Sequence, residues 1–105
     1  MSSKSTFLNS TSKSYALALY ELSQENSELD QVQDGISGIK ELLDQSSDFR
    51  QMVLDPTLTK EEKNKVINKM VEQYNFCQTL KKFLGFLSEK NRLFFLARII
   101  DSFLD

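Results

Sequence analysis

The stretch Leu80–Ile100, LKKFLGFLSEKNRLFFLARII, constrains the fold more than any other part of the chain. Two apolar runs flank a polar break, Ser88-Glu89-Lys90-Asn91-Arg92, and this pattern predicts two antiparallel helices joined by a short turn. Leu80, Phe83, Leu84 and Leu87 follow i, i+3, i+4, i+7 spacing and make one helix face, with Phe86 off the stripe. Beyond the break, Leu93, Leu96, Ile100 and Phe103 make a second stripe, with Ala97 and Leu104 beside it. Phe94 and Phe95 are surplus to it. Small soluble domains seldom present grouped large apolar side chains to water without a use for them. The stretch therefore points to a helical bundle that docks something rather than one that catalyses something.

The 105 residues suffice for one domain with a single core. Three Gly and one Pro leave few tight turns and argue against an all-β architecture. The N-terminus, MSSKSTFLNSTSKS, has no hydrophobic region and is not a secretory signal. It lacks acidic residues, a trait of organellar presequences, but it also lacks Arg. It reads as a flexible tail over residues 1–12 that leads into helix. No apolar run approaches the length of a membrane span.

The first helix is expected to begin near Ser12 or Ser14, either of which could cap it, and to run to about Glu25. Tyr15, Ala18, Leu19 and Leu22 share one arc, while Ala16 and Tyr20 sit roughly 100° further round. So wide an arc suits a helix touched on two sides. Asn26-Ser27 is a break, and Ser27-Glu28-Leu29-Asp30 has the form of a capping box. The second helix carries Leu29, Val32, Ile36, Ile39 and Leu43 in a 3-4-3-4 step. Gly35 and Gly38 on its other faces either admit a close neighbour or are merely tolerated. A short third helix with Phe49, Met52 and Val53 follows Ser46-Ser47-Asp48 and ends before Pro56. Thr59-Lys60-Glu61-Glu62 is a second capping box. The fourth helix has Val66, Ile67, Met70, Val71 and Tyr74 as its apolar stripe and Lys63, Lys65, Lys69 and Glu72 on its wet side. It ends at Asn75, and Phe76 or Cys77 opens the fifth. The expected fold is all-α, a six-helix bundle over residues 13–105.

Catalytic chemistry finds little to stand on. With no His, the chain holds no Ser-His-Asp or Cys-His site, and one cysteine makes neither a disulfide nor a metal set. Glu61 and Glu62 fall in the first turn of a helix, where they complement its dipole. Cys77 reads as a small core hydrophobe near a helix start, a reactive role being the minor alternative. Lys81, Lys82, Lys90 and Arg92 lie near phenylalanines, yet a net charge of −2 supplies no counter-ion release to drive nucleic-acid binding. No catalytic residue, cofactor site or metal site is expected.

Several landmarks recur in order: Tyr15-Ala16-Leu17-Ala18-Leu19-Tyr20-Glu21-Leu22; Leu29-Asp30-Gln31-Val32; Leu54-Asp55-Pro56-Thr57-Leu58-Thr59-Lys60-Glu61-Glu62-Lys63; and Phe83-Leu84-Gly85-Phe86-Leu87-Ser88-Glu89-Lys90-Asn91-Arg92-Leu93. From about Lys13 to Leu104 the chain resembles the N-terminal domain of the delta subunit of F-type ATP synthase, the oligomycin-sensitivity-conferring protein of mitochondria. The resemblance implies a six-helix bundle on top of the catalytic head, gripping the N-terminal helices of the alpha subunits in a groove between its first and fifth helices. It also implies that a second, C-terminal part joins the b-type subunits of the peripheral stalk, so that the head does not turn with the rotor during ATP synthesis coupled to proton transport.

On this reading the groove candidates are Tyr15, Ala16, Leu19, Tyr20, Thr79, Phe83 and Phe86. The helical wheel leaves open which arc faces the core. The family chain is commonly about twice as long, so the expectation is an isolated N-terminal domain without its stalk-binding part. Leu17 stands where the family usually carries a basic or polar residue, and is either an extension of the groove or a harmless surface side chain. The expected location is peripheral, on the cytoplasmic face of the bacterial inner membrane, which the lack of an Arg-rich presequence favours over the alternative of an organellar inner membrane or thylakoid. The competing reading is a helical adaptor or regulator of another complex that uses the same apolar face.

Overall fold

The computed structural model describes the backbone of residues 3–105 and the side chains of residues 9–105. Among them run six α-helices: α1 Ser3–Glu25, α2 Leu29–Gln45, α3 Ser47–Leu54, α4 Lys60–Tyr74, α5 Gln78–Glu89 and α6 Leu96–Leu104. A 3₁₀ turn, Leu93–Phe95, joins α5 to α6. This is the all-α, six-helix bundle expected from the apolar spacing. Helix α1 packs chiefly along α6 and more narrowly along α5 and α2, while α4 lies against α5.

Fully buried Leu19, Val32, Ile36, Ile39, Ile67, Leu80, Leu84, Leu87, Leu93, Leu96, Ile99 and Ile100 form the centre of the core. Their burial is what offsets the ordering of helices too short to persist in water without packing. Gly35 and Gly38 have separate explanations. A Cβ on Gly35 would stand 2.3 Å from Leu80 Cδ2, so glycine there lets α2 approach α5; a Cβ on Gly38 would meet open space.

Helix ends follow one recurring device. Ser27, Asn75 and Asn91 have positive φ, at 56°, 53° and 57°. Behind each, two N–H groups turn back onto the last turn of helix: Glu28 to Ser23 and Ser27 to Gln24, Phe76 to Val71 and Asn75 to Glu72, Arg92 to Leu87 and Asn91 to Ser88. These are Schellman closures, and they satisfy carbonyls that would otherwise be orphaned. Asn is among the residues that tolerate the left-handed region best. Arg50 closes α2 differently, its Nη1 donating to the carbonyls of Leu43 at 2.6 Å and Asp44 at 3.2 Å. Thr59 and Glu62 form the expected capping box of α4.

Four expectations are corrected. Helix α1 begins at Ser3, not at Ser12 or Ser14, so the segment read as a tail over residues 1–12 is helical from Ser3; residues 1–2 lie outside the described residues. Ser12 is buried, and Asn9, Ser12 and Lys13 line a cavity together with Arg98, Asp101 and Ser102 of α6. Packing along α6 thus outweighs the weak helix propensity of Ser and Thr. Ser27 does not cap α2, because its left-handed backbone serves the closure of α1 and Glu28 becomes the N-cap residue. In α4, Val66 and Tyr74 are exposed and leave the buried stripe to Ile67, Met70 and Val71. Of the surplus phenylalanines, Phe95 is buried, turned inward by the 3₁₀ turn, while Phe94 stays exposed.

Candidate functional site

Helix α1 offers Tyr15, Ala18, Leu22 and, just past its end, Asn26, at spacings of three, four and four residues, so that all lie along one face. Helix α5 offers Thr79, Lys82, Phe83 and Phe86 in the same manner. The helices run antiparallel, and these eight side chains line a cavity of about 500 Å³ between them. From Tyr15 to Asn26 the groove is about 16 Å long at 1.5 Å per residue, or three turns of a helix laid in it.

Different interactions hold its two ends. At one, Tyr15 packs against Phe86 with ring centroids 6.3 Å apart and against Phe95 at 5.9 Å, and Arg92 donates to the Tyr15 hydroxyl. At the other, Asn26 Nδ2 donates to Thr79 Oγ1 at 2.9 Å, and the Thr79 hydroxyl donates to Glu28 Oε1 at 2.5 Å. The Thr79 N–H also donates to Glu28 Oε1, at 3.0 Å. Cys77, the N-cap residue of α5, gives that helix no side-chain cap, so the Glu28 carboxylate stands in from the α1–α2 connection. The Thr79 hydroxyl first, and then its N–H, hold the Glu28 carboxyl below its ordinary value.

Between these ties the wall is mostly apolar. Ala18 is small, Leu22 is 45% exposed and Phe86 is 43% exposed. Lys82 is the one charged residue that lines the cavity. Nothing in this arrangement pairs a nucleophile with a base, and among the described residues no group of His, Cys, Asp and Glu could hold a metal ion. A long, open, apolar trough with polar ends is suited to receiving a helix.

Of the seven groove candidates, the structure brings Tyr15, Thr79, Phe83 and Phe86 together along this trough. The other three lie elsewhere. Ala16 and Leu19 are buried, on the arc of α1 that faces the core with Ser12 and Ser23. Tyr20 points to the far flank, its ring edge-on to Phe103 of α6 at 6.1 Å. Ala18 and Leu22 shared an arc with Tyr15 in the periodicity and could have been taken from it. Asn26 was legible only as a helix break, and Lys82 only as a charged residue between Thr79 and Phe86. Leu17 is 59% exposed and does not line the groove, which makes it a surface side chain.

The sequence matches the family described as the ATP synthase delta (OSCP) subunit over residues 11–105. The chain belongs to this family. The ATP synthase subunit delta of Pelagibacter ubique is 36% identical over 105 residues, which is 100% of this chain and 57% of the relative. That of Rhodospirillum rubrum is 31% identical over the same length, 56% of the relative. The mitochondrial ATP synthase subunit 5 of Yarrowia lipolytica is 32% identical over 89 residues, 85% of this chain and 42% of the relative. A chain in the cryo-EM structure of the Toxoplasma gondii mitochondrial ATP synthase hexamer superposes with a TM-score of 0.83 and 30% identity, over 88% of this chain and 51% of that one. This delta/OSCP-family chain therefore spans about half the length of the bacterial relatives it matches.

Proposed function

We propose that this delta/OSCP-family bundle is a non-catalytic stator element of F-type ATP synthase, and that its α1–α5 groove holds the N-terminal helix of an alpha subunit on top of the catalytic head. The observation that carries this reading is the trough itself: three helical turns long, walled by Tyr15, Leu22, Phe83 and Phe86, and open between its end ties. In the bundle, the N-terminal domain of the subunit, affinity comes from apolar burial at roughly 25 cal/mol per Å², less the costs of association. Its work is mechanical, to keep the head from turning with the rotor while proton flow drives ATP synthesis. The b-type stalk subunits are bound by the further part of the subunit, which corresponds to the share of the relatives' length that this chain does not span. No described helix is long and apolar enough to cross a membrane. On this reading the protein works at the membrane periphery, at the cytoplasmic face of the bacterial inner membrane.

The test is NMR of the isotope-labelled chain titrated with a peptide of the N-terminal segment of the alpha subunit. Saturable shifts are expected at Tyr15, Ala18, Leu22, Thr79, Lys82 and Phe86, with little change at Lys65 and Lys69 on the outer face of α4. A folded, monomeric protein that shows no shifts with the matched peptide would overturn the stator reading in favour of an adaptor with another partner.

A further inference from the structure

Asn75 closes α4 in the left-handed region, at φ 53°. The chain turns so sharply there that Tyr74 and Phe76, on either side of it, lie face to face, with ring centroids 5.8 Å apart and planes 16° apart. Phe76 packs against the core, whereas Tyr74, with one face on Phe76, is still 52% exposed. Gly35 of α2 makes room for the pair, since a Cβ there would stand 3.3 Å from the Phe76 ring. The two rings, Gly35 and Asp34 of α2, and Cys77 line a cavity of about 500 Å³. Its charge is one-sided. Asp34 is the one charged residue that lines it, and among the described residues no cation pairs with that carboxylate. The carbonyl end of α4 lies at Tyr74, with no basic residue in its last turn. The amino end of α5, at Cys77, is already met by the Glu28 carboxylate. Lys81 stands a turn further along α5 and does not line the cavity. The exposed side of α2 adds to the field, with Asp30, Asp34, Glu41 and Asp44 against the single Lys40.

An exposed aromatic ring beside an unpaired carboxylate selects for a cation that is flat. A guanidinium stacks on the ring and donates to the carboxylate from its edge, whereas an ammonium is a strongly hydrated point charge. We propose that this notch is a docking point separate from the α1–α5 trough, and that it takes an arginine side chain of a partner protein. The guanidinium lies flat on Tyr74 with its edge on the Asp34 carboxylate. One ring and one carboxylate hold a free cation only weakly. The segment that carries the arginine supplies the rest of the binding, and the acidic side of α2 draws it to this flank. Loss of either the ring or the carboxylate weakens the contact about two- to five-fold. None of this depends on what fills the trough.

The experiment is NMR titration of the isotope-labelled chain with N-acetyl-arginine methylamide, and with its citrulline and lysine counterparts. Arginine is expected to give saturable shifts at Asp34, Tyr74, Asn75 and Phe76, with the probe's δ-methylene moved upfield by the Tyr74 ring. Citrulline, of the same shape without the charge, should give none, and lysine should bind more weakly. Asp34→Asn and Tyr74→Leu, both at exposed positions, should each weaken the arginine probe about two- to five-fold. No saturable shift, equal shifts with citrulline, or lysine binding as well as arginine would each overturn the site. The protein partner is tested in assembled ATP synthase that contains this subunit, with p-benzoylphenylalanine in place of Tyr74. The photo-cross-link should land on an arginine-bearing peptide of another subunit, and substitution of that arginine by glutamine should abolish it. A cross-link to a peptide without arginine, to a second copy of this chain, or to nothing would overturn the partner.

Discussion

Along its α6 flank, α1 is closed over the turns from Ala16 to Ser23, past the cavity that Asn9 and Lys13 line with Arg98 and Asp101. Ser12, Ala16, Leu19 and Ser23 are buried, and the Tyr20 ring covers the outer edge of the seam against Phe103. Along its α5 flank, the outer edge is tied at two places, Tyr15 with Phe86 and Asn26 with Thr79, and Ala18 and Leu22 between them border open space. The same helix thus serves as a core element on one side and as the wall of a trough on the other. The difference comes from side-chain size and position: Ala18 is too small to fill the gap opposite Phe83 and Lys82. It teaches that apolar residues of the two flanks, alike in composition, should differ in what their loss does. Core residues should move stability, and groove residues should move binding.

The largest effect is expected from Leu19→Ala, which empties a site of 0% exposure and should cost about 2–5 kcal/mol in urea denaturation. A loss under about 1 kcal/mol would mean that the closed flank is not closed. Gly35→Ala comes next. Its methyl would meet Leu80, so about 1–3 kcal/mol of stability should be lost, and peptide affinity should fall as α5 shifts. Gly38→Ala, in open space within the same helix, should instead gain about 0.5–1 kcal/mol. Opposite signs from two glycines in one helix would sharpen the assignment of Gly35 as the position that sets how closely α5 approaches.

Phe86→Ala should separate the two flanks most cleanly. Its stability should drop by about 1 kcal/mol, because the ring is half exposed, while affinity for the alpha-subunit peptide falls tenfold or more, about 1.4 kcal/mol. Tyr20→Ala, on the α6 flank, should leave that affinity unchanged. If Tyr20→Ala weakened the peptide and Phe86→Ala did not, the functional flank would be the other one.

The smallest effect concerns Glu28, whose carboxyl is lowered from 4.5 by the Thr79 hydroxyl and N–H. With the folded value below the unfolded one, the unfolded chain binds more protons between them. The stabilisation is then complete above the unfolded value and vanishes as pH falls through the folded one. The difference in urea midpoint between the wild type and Glu28→Gln should therefore be largest near neutrality and shrink below about pH 4. A difference that stays flat through this range would mean that the Thr79 end of the groove does not depend on the Glu28 charge.

Read residue by residue, the sequence carried the helices and most of the core. The 4-3-4 step of Val32, Ile36, Ile39 and Leu43, the capping box at Thr59 and the break at Ser88–Arg92 are local signals, because capping and face periodicity act within a few turns. They determine an all-α bundle before any contact between helices is known. What local signals do not contain is which side of a wide apolar arc meets the core. Ala16, Leu19 and Tyr20 are as apolar as Tyr15 and Leu22, and only the placement of α1 between α5 and α6 sends the first two inward, Tyr20 to Phe103 and the others to the trough. The start of α1 at Ser3 and the turn of Glu28 from its own helix to α5 have the same origin. A Ser/Thr-rich turn or a lone carboxylate has several nearly equal local choices, and the partner across the interface selects among them.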